Sequence, residues 1–237
     1  MSEDLNKCIE LSDRIIEASR DYRYLLSRGY NQKTSLDIVS SRYLLSKLER
    51  SLLLRCVHRP EYIAELARKR VSSRDVHKSF LVIDLLNTLS TLVAVLSGEC
   101  VYMCDDGFIR DLEGSKRVSI DNPLVSKGID IIARSLSDLG PQKTIFVADK
   151  NVSYSLLISR VIVNKCLEKG LLCDYLLAEK ADRSILDLSK ESIIISSDYV
   201  ILDKAERIFD LVNHIVGSGL IEREIKLINL SRVFKDF

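Results

Sequence analysis

The residues of this chain best suited to chemistry are aspartates that close short apolar runs. Asp84 follows Phe80 to Ile83, Asp105 and Asp106 follow Val101 to Cys104, Asp149 follows Thr144 to Ala148, and Asp198 follows Ile193 to Ile195 and two serines. In an open parallel sheet, ligands bind beyond the carboxyl ends of the strands, where loops and helix N-termini converge. Carboxylates gathered there repel one another unless a cation neutralises them, and an all-oxygen ligand set selects Mg²⁺ or Mn²⁺. Such an ion activates water and holds phosphate oxygens, so in-line phosphodiester hydrolysis is the expected reaction class. The expected catalytic set is Asp84, Asn87, Asp149 and Asp198, with Asn87 in the first turn of a following helix to orient a water or a phosphate. The expected metal ligands are Asp84, Asp105, Asp106, Asp149, Asp198 and Asp203, the last only if residues 199–202 form a turn.

Each acid also has a purely structural reading. Asp105-Asp106-Gly107, between Val101 to Cys104 and Phe108-Ile109, is a hairpin-turn sequence. Asp149 and Asp198 fit the frequent use of Asp as a helix cap after a strand. The chemistry therefore rests on the acids meeting, not on any one of them.

The elements that must bring them together are legible as a change of period. Up to about residue 70 apolar residues recur at three-to-four spacing, which predicts helices. Leu5, Cys8, Ile9, Ile15 and Ile16 share a face, and Tyr22, Leu25 and Leu26 extend it toward a stop at Gly29. A second helix is expected over 34–43 and a third from Ser46, whose hydroxyl caps the turn holding Glu49, to Cys56; Pro60 starts a fourth. The middle pair has helix-turn-helix spacing, with Arg42, Lys47, Arg50 and Arg55 available to phosphates, although two short helices with a tight turn are also a routine packing unit.

From Phe80 apolar runs alternate with amphipathic segments, the signature of an α/β sheet. The expected strands are Phe80 to Ile83, Val101 to Cys104, Thr144 to Ala148, Leu172 to Leu176, Ser192 to Ile195 and a last one at Glu224 to Ile228. Helices are expected from Asn122-Pro123 to Gly140, from about Ser153 to Lys169, and from Lys204 to Val216. The reading is thus a basic helical domain over 1–72, a linker over 73–79 and an α/β domain over 80–237.

Composition agrees with a packed, two-part protein. The 237 residues are 46% hydrophobic, and the net charge of +1 conceals an uneven distribution. The first eighty residues carry 16 Lys and Arg against 11 Asp and Glu; the remainder carries 19 against 23. A basic head before an acidic body suits a nucleic-acid grip joined to a metal site. The first twenty residues build no apolar run, and the stretch from Phe80 to Leu96 is broken by Asp84 and Asn87, so a cytoplasmic protein with no membrane partner is expected. The six cysteines form no C-x-x-C pair and are expected to be buried thiols. No phosphate loop or dinucleotide fingerprint is present, which argues against an enzyme of small phosphorylated molecules built on a nucleotide cofactor.

Specific stretches extend this reading. Asp21-Tyr22-Arg23-Tyr24-Leu25-Leu26-Ser27-Arg28-Gly29-Tyr30, Ser41-Arg42-Tyr43 and Leu45 to Arg50 resemble the small N-terminal domain of an archaeal family of unknown function. Val82 to Asn87, Cys104 to Asp111, Phe146 to Ser153, and Ile195-Ser196-Ser197-Asp198 with Asp203 resemble the C-terminal domain usually fused to it. That second domain is in turn similar to the PIN and NYN superfamily of metal-dependent ribonucleases, in which an Asp ends the first strand, an Asn often follows three residues on, and a Ser/Thr-Asp comes after a later strand. Asp84, Asn87, Asp198 and Asp203 match that pattern. The usual Asp-Gly-x-Asn is here Asp84-Leu85-Leu86-Asn87, and no helix-borne acid follows over 88–97, so Asp105, Asp106 or Asp149 must supply the missing ligand. The resemblance implies a PIN-like sheet flanked by helices and a Mg²⁺- or Mn²⁺-dependent endoribonuclease, with RNA or DNA as partner and a homodimer as an oligomeric state it allows. The alternative is a non-catalytic nucleic-acid-binding or regulatory protein on a degenerate nuclease fold.

Overall fold

The structure, a computed structural model, describes residues 8–112 and 118–234. In chain order the elements begin with α1 (Asp13–Ser27), α2 (Gln32–Tyr43), α3 (Lys47–Cys56), α4 (Pro60–Lys69) and the single turn α5 (Ser73–Val76). Then come β1 (Phe80–Asp84), α6 (Leu85–Ser97), β2 (Val101–Met103), β3 (Ile109–Arg110), α7 (Pro123–Leu139), β4 (Lys143–Asp149) and α8 (Ser155–Glu168). The chain continues with β5 (Cys173–Ala178), α9 (Ala181–Asp187), β6 (Ile193–Ile195), α10 (Tyr199–Lys204), α11 (Leu211–Gly217) and β7 (Leu227–Asn229). Among the described residues no helix is long and apolar enough to cross a membrane.

These elements fall into two compact units, and neither is one continuous stretch. Residues 1–68, 98–112 and 225–237 make the first, and residues 69–97 and 113–224 the second. The expected break near residue 73 is therefore only the first of several passages between units. The expected linker is packed chain: Val76 is fully buried in the core of the second unit, and the Lys78 N–H donates to the Gly140 carbonyl.

The second unit is α/β, with an all-parallel sheet in the order β5-β4-β1-β6 flanked by helices. β1 lies inside it, with Ile83 opposite Phe146 of β4 on one side and Ile195 of β6 on the other. Its sequence, Phe-Leu-Val-Ile-Asp, is continuously apolar up to the acid, as a strand covered on both faces requires. α6 is apolar on every side for the same reason, and eleven of its thirteen residues are buried. α7 shows how local signals set an element's length. The Asn122 side chain accepts from the Leu124 N–H, Pro123 opens the helix, and Gly140 closes it at φ 62°. At Gly140 a Cβ atom would also lie 2.8 Å from His77 Nδ1, so both backbone and packing exclude a larger residue.

Two sequence expectations fail here. The helix expected over 204–216 is divided, because Asp198 caps α10 and Asp210 caps α11, while Ile208 between them is extended and bridges Arg70 and Ile194. Val101 to Cys104 and the last strand do not join the parallel sheet. They belong to the first unit, as β2 and β7 of a small sheet in the order β3-β2-β7. The physical reason is the hairpin: Cys104 to Phe108 turns the chain back at once, with Gly107 at φ 79°, so β2 pairs antiparallel with β3.

The first unit packs α1 to α3 with this small sheet around Tyr22, Leu52, Leu53, Cys56 and Tyr102. α2 and α3 are the expected pair with a tight turn, made by Leu44 at φ 50° and by a capping box between Ser46 and Glu49. Disulfides join Cys8 to Cys100 and Cys56 to Cys104, across 92 and 48 residues of sequence, and correct the expectation of buried thiols; Cys166 and Cys173 are free and buried. A small unit gains from such links because they restrict its unfolded chain. Thiol titration of the unfolded, unreduced protein is expected to find two reactive cysteines of the six, and six after reduction; six at the outset would show that the links do not form.

Candidate active site at the carboxyl edge of the parallel sheet

Sheet order decides where a site can form. From β1 the chain passes to β4 and β5 on one side and then returns to β6 on the other, so the switch point lies between β1 and β6. Helical connections leave a crevice there. Asp84, Asn87, Ser196, Ser197 and Asp198 stand at its mouth, and hydrogen bonds join the two sides. The Ser196 hydroxyl donates to Asp84 Oδ2 at 2.8 Å. The Ser197 N–H and hydroxyl both donate to Asn87 Oδ1, at 3.0 and 2.8 Å. The Asn87 backbone N–H also bonds the Asp84 carboxylate, so the three-residue spacing of Asp84 and Asn87 serves to cap α6. Asp198 Oδ1 accepts from the Val200 and Ile201 N–H groups at the start of α10. Asp149 Oδ1 accepts from the Asn151 N–H in the loop after β4.

The capping roles are therefore real, yet they leave the charge of these acids uncompensated. Burial pushes the Asp84 carboxyl up to about 7, the Ser196 hydroxyl opposes the rise, and the charges of Asp198 and Asp182 add to it. Asp182, in the first turn of α9, is itself raised by desolvation and then by the charges of Asp198 and Asp149. Among the described residues none of Asp84, Asp149, Asp182 and Asp198 forms an ion pair with a Lys or Arg. Sequence reasoning missed Asp182 because it lies four residues beyond the end of β5 instead of directly on it. The signal was available, since an acid follows every other strand of this sheet.

The remaining acids fare differently. Asp203 lies in the last turn of α10, where its backbone carbonyl accepts from Lys69 Nζ. Asp105 and Asp106 belong to the first unit, in the β2–β3 turn, and the expectation that they complete the strand-end set is corrected by their partners. Asp105 accepts from Arg23 at 2.9 Å and from the backbone N–H of His58 at 2.7 Å, and it faces His58 Nδ1 at 2.6 Å. Asp106 takes both ends of the Arg110 guanidinium, at 2.8 and 2.6 Å. Burial alone would raise the Asp106 carboxyl, but Arg110 and His58 hold it below the usual carboxylate range. Among the described residues His58, Asp105 and Asp106 are the one group of three whose ligand atoms lie within 4.8 Å of one another. Two guanidinium groups already balance those two carboxylates, so an added cation has little to neutralise there.

The comparisons with known proteins divide the chain at one point in its sequence. Residues 14–69 match the family called Protein of unknown function (DUF434), and residues 73–214 match the one called Domain of unknown function (DUF5616). The chain belongs to the DUF5616 family. An uncharacterized protein of Methanocaldococcus jannaschii is 27% identical over 200 residues, which cover 84% of this chain and 94% of that protein. The DUF434 match runs from α1 to the end of α4, and the DUF5616 match spans the sheet together with the excursion through β2 and β3. Every strand-end acid of the sheet falls inside it.

The two acid groups give opposite responses to mutation. Because the folded pKa of Asp84 lies above its ordinary value of 3.8, folding favours the protonated form; that contribution is full below pH 4 and is lost as pH rises toward 7. In chelator at pH 8, Asp84→Asn is expected to melt roughly 3 °C or more above the parent, with the difference vanishing near pH 4. A variant that melts lower at pH 8 would contradict this. Conversely, Arg110→Met strands a buried Asp106 and is expected to lower unfolding free energy by about 3 kcal/mol in denaturant titrations.

Proposed function

We propose that the α/β unit is a metal-dependent phosphodiesterase of PIN-like type that cleaves RNA internally. The observation that carries this reading is a group of four acids, Asp84, Asp149, Asp182 and Asp198, that form no ion pair with Lys or Arg among the described residues and stand around the switch point of a parallel sheet. Proteins neutralise such a field with protonation or with a cation. Four carboxylates with hydroxyl and amide neighbours fit Mg²⁺ or Mn²⁺, which accept oxygen ligands and keep several waters. The ion would be held by Asp84 with Asp182 and Asp198, with Asp149 on its β4 side. Bound there, it would lower the pKa of water and offset phosphate charge.

The chain's own residues account for the rest. Ser196 fixes the Asp84 carboxylate in one orientation, and Ser197 fixes the Asn87 amide by its oxygen, which leaves the amide N–H groups to donate to a water or a phosphate oxygen. The Ser197-Asp198 sequence after β6 and the Asp84 and Asn87 spacing after β1 are what the PIN and NYN resemblance contributes to this reading. Asp182 fills the place of the helix-borne acid that residues 88–97 do not provide.

One observation favours a second reading. The strand-end carboxylates do not form a group of three within 4.8 Å among the described residues, and Asp149 and Asp198 each commit an oxygen to capping. A non-catalytic nucleic-acid-binding protein would have this appearance. The helical unit then supplies the grip, through fewer cations than the sequence offers: Arg42 and Arg50 pair with Asp21 and Asp37, and Tyr22 is core, while Tyr24 and Tyr30 are exposed.

Labelled single-stranded RNA incubated with the purified protein separates the two. Cleavage that requires Mn²⁺, stops in chelator and falls by roughly 100-fold or more in Asp84→Asn and in Asp182→Asn is expected. Salt-sensitive binding without cleavage would give the second reading instead.

A further inference from the structure

The loop after β4 carries a feature that neither reading uses. Residues Lys150 to Leu157 and Arg160 line an open cleft of about 410 Å³ beside Asp149. Its rim is unusual in composition. Tyr154, Leu156 and Leu157 expose 49%, 40% and 44% of their surfaces, three apolar side chains within four residues. Tyr154 stands at φ 65°, a left-handed conformation that a non-glycine residue adopts at a cost, and there it immediately precedes α8. Two cations flank the apolar rim. Lys150 pairs with Glu179 across solvent, where such pairs are weak, and Arg160 makes no ion pair among the described residues.

We propose that this cleft seats one unpaired nucleotide of a single-stranded polynucleotide, with the Tyr154 ring against the base and with Arg160 and Lys150 on the adjoining phosphates. The choice of a polynucleotide rests on the nuclease reading; the placement rests on the cleft. An aromatic face beside cations is the combination that binds single strands without reading sequence. The volume suits a small ligand group, whereas a stable protein interface needs about 800 Å² on each partner, far more than three side chains expose. Asp149 links this cleft to the acids, because its carboxylate accepts from the Asn151 N–H in the cleft wall and its charge acts on Asp182. A strand seated here lies beside Asp149, on the side of the cleft that faces those acids in sequence and charge.

Binding is measured by fluorescence anisotropy with a short labelled oligouridylate in chelator, where no cleavage occurs, and with a duplex of matched length. Tyr154→Ala is expected to weaken oligouridylate binding about tenfold, and Tyr154→Phe to stay within about twofold of the parent. Arg160→Gln is expected to reduce the slope of log affinity against log salt by about 0.7. Weak duplex binding that Tyr154→Ala leaves unchanged is also expected. Both side chains are exposed, and unaltered melting temperatures would show that the variants fold. Oligouridylate binding that is unaffected by both Tyr154→Ala and Arg160→Gln overturns the proposal, as does an absence of binding by the parent. If Tyr154→Ala loses binding while the parent shows no metal-dependent cleavage, the cleft stands and the nuclease reading falls. Metal-dependent cleavage with oligouridylate binding unchanged in both Tyr154→Ala and Arg160→Gln gives the reverse.

Discussion

The α/β unit depends on one contact, the hydrogen bond from Ser196 to Asp84 across the switch point of the sheet. A carboxylate at the end of a central strand, walled by apolar neighbours, has lost most of its water and must find other partners. Here the partners come from the chain returning as β6, so strand order, the Ser196-Ser197-Asp198 sequence and the ionisation of Asp84 are aspects of one arrangement. Asn87 repeats the contact a turn later by accepting from Ser197. The site and the sheet therefore share their adhesive.

The same residue type has a different fate in the helical unit. The side chains of Asp105 and Asp106 are almost wholly buried, yet Arg23 and Arg110 meet them with fixed, planar donors. That group is closed: charge is balanced, Arg110 grips Asp106 with both of its terminal nitrogens, and the hairpin turn that carries it is held in place. At the sheet edge the acids have hydroxyl and backbone N–H donors but no guanidinium. Hydrogen bonds orient a carboxylate without cancelling its field, and this is the physical difference between the two groups of acids.

Much of this was legible in the sequence, for definite reasons. The strands of the parallel sheet announced themselves because chain covered on both faces must be apolar throughout. Caps such as Asn122, Ser46 and Gly140 act through bonds to near neighbours and so could be read locally. Asp84, Asn87 and Asp198 were found because an acid on a strand end is a local pattern. The larger failures were non-local. Nothing in Val101 to Cys104 states that its neighbours are β3 and β7 instead of β1, since an apolar strand looks the same in either sheet. The partners of Asp105 and Asp106 come from residues as distant as Arg23, and the disulfides from pairs no spacing rule connects. Asp182 escaped because α9 delays it by one turn beyond its strand.

The interleaving of the two units limits how such a chain can be divided or inherited. The helices before residue 69 complete their core with Tyr102, Leu230 and Val233, and Cys8 and Cys56 find their partners at 100 and 104. A cut at the obvious junction would strip the helices of a wall and leave the sheet with two stray segments. Recombination at any single point would part residues that share one core.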